Sequence, residues 1–267
     1  MPGQKSLPRE PLIKNDLWKN YKGPLPPGDF KELLLQVMDQ KDHWAWNHFS
    51  GNHISKKQLK IHFQQEYEVY VRDFPIFLSR IHCKNPPMEV RQDLVSNLYE
   101  EETGGLSLGR PHPELFLVMM EGLGYPLSEF SNIRMLPSSR RYRKWLDQVT
   151  TGPSWLLAAS VVTIFVEGSI KDRKECEPSW RADPMDIEEK IKKHPLVAFH
   201  GLNPSRMDLV RAHHHIEGSH RLAAWRMVLD HAKDARIQKE IYQVLSKSLR
   251  LWLSYRDEVA LACQLAL

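Results

Sequence analysis

The chain has 267 residues, 42% of them hydrophobic, which is enough for a substantial buried core. Its 37 basic and 33 acidic residues are spread along the whole length and leave a formal charge of +4, so no charged block points to a nucleic-acid or anionic-membrane partner. Three cysteines (Cys83, Cys176 and Cys263) are too few and too far apart for a disulfide framework or a thiolate zinc site. No apolar run reaches the roughly 18 residues needed to span a bilayer, and the opening MPGQKSLPRE has no apolar export core, so a cytoplasmic, membrane-free protein is expected.

Residues 1–28 carry prolines at 2, 8, 11, 24, 26 and 27 and no sustained period, which reads as a partly disordered N-terminal arm before a helical domain at 29–267. From Asp29 onward apolar residues recur three and four apart, as in Leu33, Leu34 and Val37, then Leu59, Phe63, Tyr67, Tyr70, Val71 and Phe74. No stretch alternates with period two. Proline and glycine breaks divide the pattern into helices predicted over 29–49, 55–82, 87–103, 113–123, 128–149, 153–170, 185–199, 204–232 and 234–264. With no internal repeat and no shift of composition, a single all-α bundle is the economical reading.

Three places in this bundle carry chemistry. At the end of the 87–103 helix stand Glu100, Glu101 and Glu102. Leu94 and Leu98 define an inward face that continues onto Glu101 or Glu102, and the 94, 98, 101 row favours Glu101. His112, just ahead of Pro113, reads by position alone as a surface residue. Glu167 closes the apolar run Trp155–Val166 and shares a helical face with Leu156, Ser160 and Thr163. Burying it unpaired costs several kcal/mol, so it needs a cation, a proton, or a partner such as Lys171 or Arg173. His213, Glu217 and His220 follow at i, i+4 and i+7, which stacks them within a sector of about 60° on one helix face. His214 and His215 point about 100° and 200° away and read as solvated. Imidazole and carboxylate together suit iron, manganese or zinc.

Taken together, Asn97-Leu-Tyr-Glu-Glu-Glu-Thr-Gly104, Pro111-His-Pro-Glu-Leu115, the lone Glu167 and His213-x3-Glu217-x2-His220 resemble the heme-oxygenase-like di-iron oxidases and oxygenases. These are relatives of TenA and of pyrroloquinoline quinone biosynthesis protein C. The resemblance covers about residues 35–260 and implies a heme-oxygenase-like helical bundle. It further implies a non-heme di-iron enzyme with two Fe(2+) per chain and O2 as co-substrate, acting on a small amino-acid- or fatty-acid-derived substrate. A homodimer and an external electron donor are compatible with it. The implied metal ligands are Glu101 (with Glu102 as alternative), His112, Glu167, His213, Glu217 and His220. Residues 51–74 resemble the segment that lines the substrate channel, which makes Tyr67, Tyr70 and Phe74 candidate substrate-binding residues.

Two departures from that pattern stand out. Glu217 occupies a position that is usually Asp. The stretch between the first Glu and its His is also lengthened by Gly104-Gly105 and Gly109-Arg110-Pro111, so the helix must break there. Competing readings are a metal-free oxidase of the quinone-biosynthesis type, a self-sacrificing p-aminobenzoate synthase with Tyr67, Tyr70 or Tyr99 near the metals, and a non-catalytic helical interaction protein. Residues 176–193 read as an insertion placed to cover the channel.

Overall fold

The computed structural model describes residues 22–177 and 186–266, with only the helical backbone for 215–220. Helix α1 (Pro27–Asp39) starts on a proline, where the missing N–H costs nothing, and buries Phe30, Leu33, Leu34 and Val37. The predicted 29–49 helix does not continue: α2 is only Trp46–Phe49. Between them the chain turns so that Lys41 reaches inward, its Nζ donating to the carbonyls of Phe165 (2.5 Å), Val166 (3.1 Å) and Gly168 (2.5 Å). An inward-turned lysine of this kind leaves no trace in an apolar period.

A Ser55/Gln58 capping box starts α3 (Lys56–Glu66). The chain then passes through a π-helical turn, Tyr67–Val71, where the Arg72 N–H bonds the Tyr67 carbonyl five residues back. Helix α4 (Phe74–His82) restarts at Pro75, which can neither donate to the preceding turn nor fit against it. The predicted 55–82 helix is therefore two helices joined by a wider turn. Helix α5 (Met88–Thr103) and α6 (His112–Gly122) follow, then a 3₁₀ turn (Leu127–Phe130) and α7 (Pro137–Thr151). The predicted 128–149 helix is thus shortened: its first residues belong to the 3₁₀ turn, and α7 starts only at Pro137.

Ser154 caps α8 (Trp155–Ala159), which runs into a second π-helical stretch, Ser160–Val166. Short α9 (Asp172–Glu175) comes next; the segment 178–185 lies outside the described residues, which leaves most of the channel-covering insertion undescribed. Pro195 splits the predicted 185–199 helix into α10 (Ile187–Lys193) and α11 (Pro195–Ala198). After a 3₁₀ turn (Pro204–Arg206), α12 (Asp208–Leu229) and the long α13 (Ala235–Ala262), capped by Asp234, complete the chain.

All regular structure among the described residues is helical, as the periodicity predicts. Helix α13 packs against α1, α3, α7 and the Ser160–Val166 stretch. Phe77, Phe165, Tyr142 and Tyr255 are fully buried in this core, and the rings of Tyr142 and Tyr255 stack at 5.8 Å. Each such side chain contributes about 1.5–3 kcal/mol by leaving water. On the other side of the Ser160–Val166 stretch, α5, α6 and α12 pack on one another and enclose the site described below. No described helix is long and apolar enough to cross a membrane. The three cysteines are unbridged, Cys83 exposed and the other two buried.

Candidate metal centre

The site begins with a chain reversal. Helix α5 ends at Gly104 in the left-handed region (φ +62°), and a Cβ there would sit 2.3 Å from the Arg110 carbonyl oxygen and 2.4 Å from its amide nitrogen. Only glycine permits that approach. The Gly104 carbonyl accepts from Ser107 N–H (3.0 Å) and Gly109 N–H (2.8 Å), so residues 104–111 double back and α6 starts against the end of α5. His112, eleven residues after Glu101, is thereby carried inward to 3% exposure. The position-based expectation of a surface histidine is corrected by this reversal, which has no periodic signature.

His112 stands between two carboxylates. Its Nε2 is 3.1 Å from Glu100 Oε1, and its Nδ1 is 3.0 Å from Glu101 Oε1. Burial pulls the imidazole down, but Glu101 and Glu100 outweigh it and hold the ring above its usual range. Glu100 is fully buried and accepts from the Leu106 N–H (2.7 Å) and the Ser107 hydroxyl. Burial would raise its carboxyl, but these donors and His112 hold it below the usual range. The sequence reading passed over Glu100; the buried row Val90, Leu94, Asn97, Glu100 was the available signal. Glu102 is exposed and does not line the cavity.

From α12, His213 brings its ring to 5.0 Å from that of His112, at 72°. One ligand atom from each of Glu101, His112 and His213 lies within 4.8 Å of the others. His214 is exposed, as its helix angle predicts. The side chains of Glu217 and His220 lie outside the described residues.

Glu167 approaches from the π-helical stretch, its N–H bonding the Val162 carbonyl five residues back at 3.2 Å. Neither Lys171 nor Arg173 is its partner; Arg173 pairs with Glu32 and Asp39. Instead Asn97 Nδ2 donates to Glu167 Oε1 (2.7 Å), and Arg221 Nη2 lies 3.6 Å from Oε2. Burial lifts the Glu167 carboxyl to about 7 against the pull of Arg221 and Asn97. Arg221, 7% exposed, also donates to the Thr163 carbonyl and stands 3.7 Å from the fully buried Asp172, which Trp225 Nε1 holds at 3.0 Å. Neither Arg221 nor Asp172 was singled out from the sequence.

A cavity of about 500 Å³ joins these groups. Its polar end carries Asn97, Glu101, His112, Glu167, His213 and Arg221, and its apolar wall includes Tyr70, Val71, Phe74, Val166, Ile170 and Leu209. Of the three candidate substrate-binding residues, Tyr70 and Phe74 reach this wall. Tyr67 does not: the wider π turn rotates it off their face, and its ring packs on Phe116 (5.4 Å) and Phe130 (5.8 Å).

The donor set suits a divalent transition metal. It is two imidazoles and a carboxylate of N/O character, and His112 Nδ1 is a buried atom with no hydrogen bond although Glu101 Oε1 is 3.0 Å away.

A family model described as "Iron-containing redox enzyme" matches residues 61–253. The chain belongs to this family. Among solved structures it is similar to a TenA homolog from Pseudomonas syringae pv. tomato (TM-score 0.62, 14% identity, 89% of this chain and 99% of that one). A TenA family transcription regulator from Silicibacter is also similar (TM-score 0.56, 10% identity, 88% and 96%). At these identities the likeness concerns the fold, which is heme-oxygenase-like. Curated relatives are the 4-aminobenzoate synthases of Chlamydia trachomatis serovar D (30% identical over 76 residues, 28% of this chain and 32% of that protein) and Chlamydia pneumoniae (28% over 104 residues, 38% and 44%). The matches span less than half the length of these relatives.

Proposed function

We propose that this protein is a non-heme di-iron oxidase or oxygenase that uses dioxygen on a small organic substrate in a biosynthetic pathway. The observation that carries the reading is the convergence of Glu101, His112 and His213 within 4.8 Å at one end of a cavity that also holds Glu167, in a member of an iron-containing redox family. Glu101, His112 and His213 would hold one ion. Glu167 faces the same space and would hold a second together with Glu217 and His220 of α12. Bound ferrous iron supplies dioxygen binding and the electrons for its reduction, and each turnover beyond the first draws on the substrate or an external donor.

The protein's own contribution is positional and electrostatic. Val71, Phe74, Val166, Ile170 and Leu209 give the substrate a dry wall against the metal ligands. Arg221 offers a cation on the cavity surface for a substrate carboxylate, which fits amino-acid- or fatty-acid-derived molecules. Glu167, lifted to about 7 by burial, holds a proton near neutrality until a cation displaces it. The test is oxygen uptake after anaerobic loading with ferrous iron: iron-dependent consumption is expected in the native protein and should vanish in Glu167→Ala. Uptake that is the same with and without iron would overturn the proposal.

A second reading is favoured by the curated relatives named 4-aminobenzoate synthase together with Tyr70, which lines the cavity and whose hydroxyl donates to Glu66 behind it. In it the chain sacrifices one of its own side chains as substrate. Intact mass after aerobic incubation with iron separates the two: an unchanged chain with many turnovers supports the enzyme, and a fixed mass loss after one turnover supports self-sacrifice.

A further inference from the structure

We infer that Glu100 is a positioning residue that selects Nδ1 of His112 as the metal-binding nitrogen, an inference that rests on the metal-centre reading above. Glu100 is fully buried and does not line the cavity, whereas its neighbour Glu101 does. Its carboxylate is already spoken for: Oε2 accepts from the Leu106 N–H, and Oε1 from the Ser107 hydroxyl and the His112 ring. It is therefore an acceptor facing His112 Nε2 at 3.1 Å and not a ligand itself.

A carboxylate with those donors can only accept, so Nε2 carries the hydrogen. In the neutral imidazole of a metal-bound ring the other nitrogen is then the lone-pair site. That nitrogen is Nδ1, which is buried without a hydrogen bond, 3.0 Å from Glu101 Oε1 and on the side of His213. A carboxylate behind a ligating histidine fixes both the tautomer and the ring angle. The inserted loop thus has a task. Gly104 turns the chain, Leu106 and Ser107 anchor Glu100, and Glu100 aims His112. In this way the broken helix restores an alignment that a straight helix would give without help.

Anaerobic ferrous titration tests this, with cobalt(II) as a probe that needs no oxygen chemistry. Glu100→Ala is expected to weaken metal binding about 10- to 100-fold. Glu100→Gln should lose much less, because its amide oxygen still accepts from Nε2 while its NH2 confronts the Leu106 N–H. In a His112→Ala background, Glu100→Ala should produce no additional loss. A merely structural tether of the 104–111 loop predicts the opposite: Gln as damaging as Ala, and the same loss with or without His112. Either of those results, or wild-type affinity in both Glu100 variants, overturns the inference. Failure of the native chain to bind either metal removes the metal centre and this inference with it, and is recognised by the absence of binding before any substitution.

Discussion

Gly104→Ala is the change that bears hardest on the link between turn and site. An L-residue at φ +62° costs about 1–2 kcal/mol. The added Cβ would also lie 2.3–2.4 Å from backbone atoms of Arg110, which cannot swing aside as a side chain could. Relief requires the 104–111 loop to open, and this strains the Leu106 and Ser107 bonds to Glu100, each worth roughly 1.5–3 kcal/mol for a charged acceptor. A loss of at least about 3 kcal/mol is expected, or roughly 6–12 °C in Tm for a chain of this size. Gly109→Ala is the control: its φ is +70°, but nothing lies within 4 Å of the added Cβ, so only the backbone cost of about 1–2 kcal/mol applies. Circular-dichroism melts and anaerobic ferrous titrations of both variants make the comparison. The reasoning is refuted if Gly104→Ala melts no lower than Gly109→Ala, or if it loses stability while iron affinity stays native.

Other consequences follow from the same geometry. Burial would raise the Glu66 carboxyl, but Arg256 Nη2 (2.8 Å), His62 and Tyr70 hold it at about 2. Its folded value is below the unfolded one near 4.5, so its contribution, on the order of 3 kcal/mol, is present above pH 4.5 and is lost as pH falls toward 2; Glu66→Gln should flatten this acid limb in pH-dependent denaturant melts. Burial likewise depresses His62 to about 4, which steepens the same limb between pH 6.5 and 4. Asn97→Leu removes the donor on Glu167 Oε1 and lets burial lift that carboxyl above about 7; ferrous affinity should then fall more at pH 6.5 than at pH 8.5, and an equal fall at both would contradict the role given to Asn97. His213→Ala should lower iron stoichiometry while His214→Ala leaves it unchanged, measured by metal analysis after desalting, because only His213 faces Glu101 and His112.

What was legible in the sequence follows from what a period can record. Rows such as Leu33, Leu34, Val37 report one buried face, so the helical class and most helix positions could be read directly. The joints could not. A π-helical turn looks like any other helical stretch until one residue too many has gone by, which is why Tyr70 and Phe74 reach the cavity and Tyr67 packs in the core. Lys41 turns inward to cap carbonyls from 124 to 127 residues away, a partnership no local window contains. In the site, helix angle brings Glu101 or Glu102 inward and sets His213 on a different face from His214, and of the two acids it is Glu101 that lines the cavity with His213. His112 needed the Gly104 reversal, and Glu100 was hidden because adjacent acids sit about 100° apart and only one was sought on the inward face. Arg221 and Asp172 are paired across elements, so their burial becomes visible only once α12 and the Glu167 segment are packed together.

The central claim is that the cavity holds two iron ions on the named side chains. Iron-edge anomalous diffraction from crystals grown anaerobically with ferrous iron measures it most directly. The account predicts two peaks per chain, one among Glu101, His112 and His213 and the other against Glu167. A cavity with these side chains in place and no anomalous peak, or iron bound away from them, would contradict it.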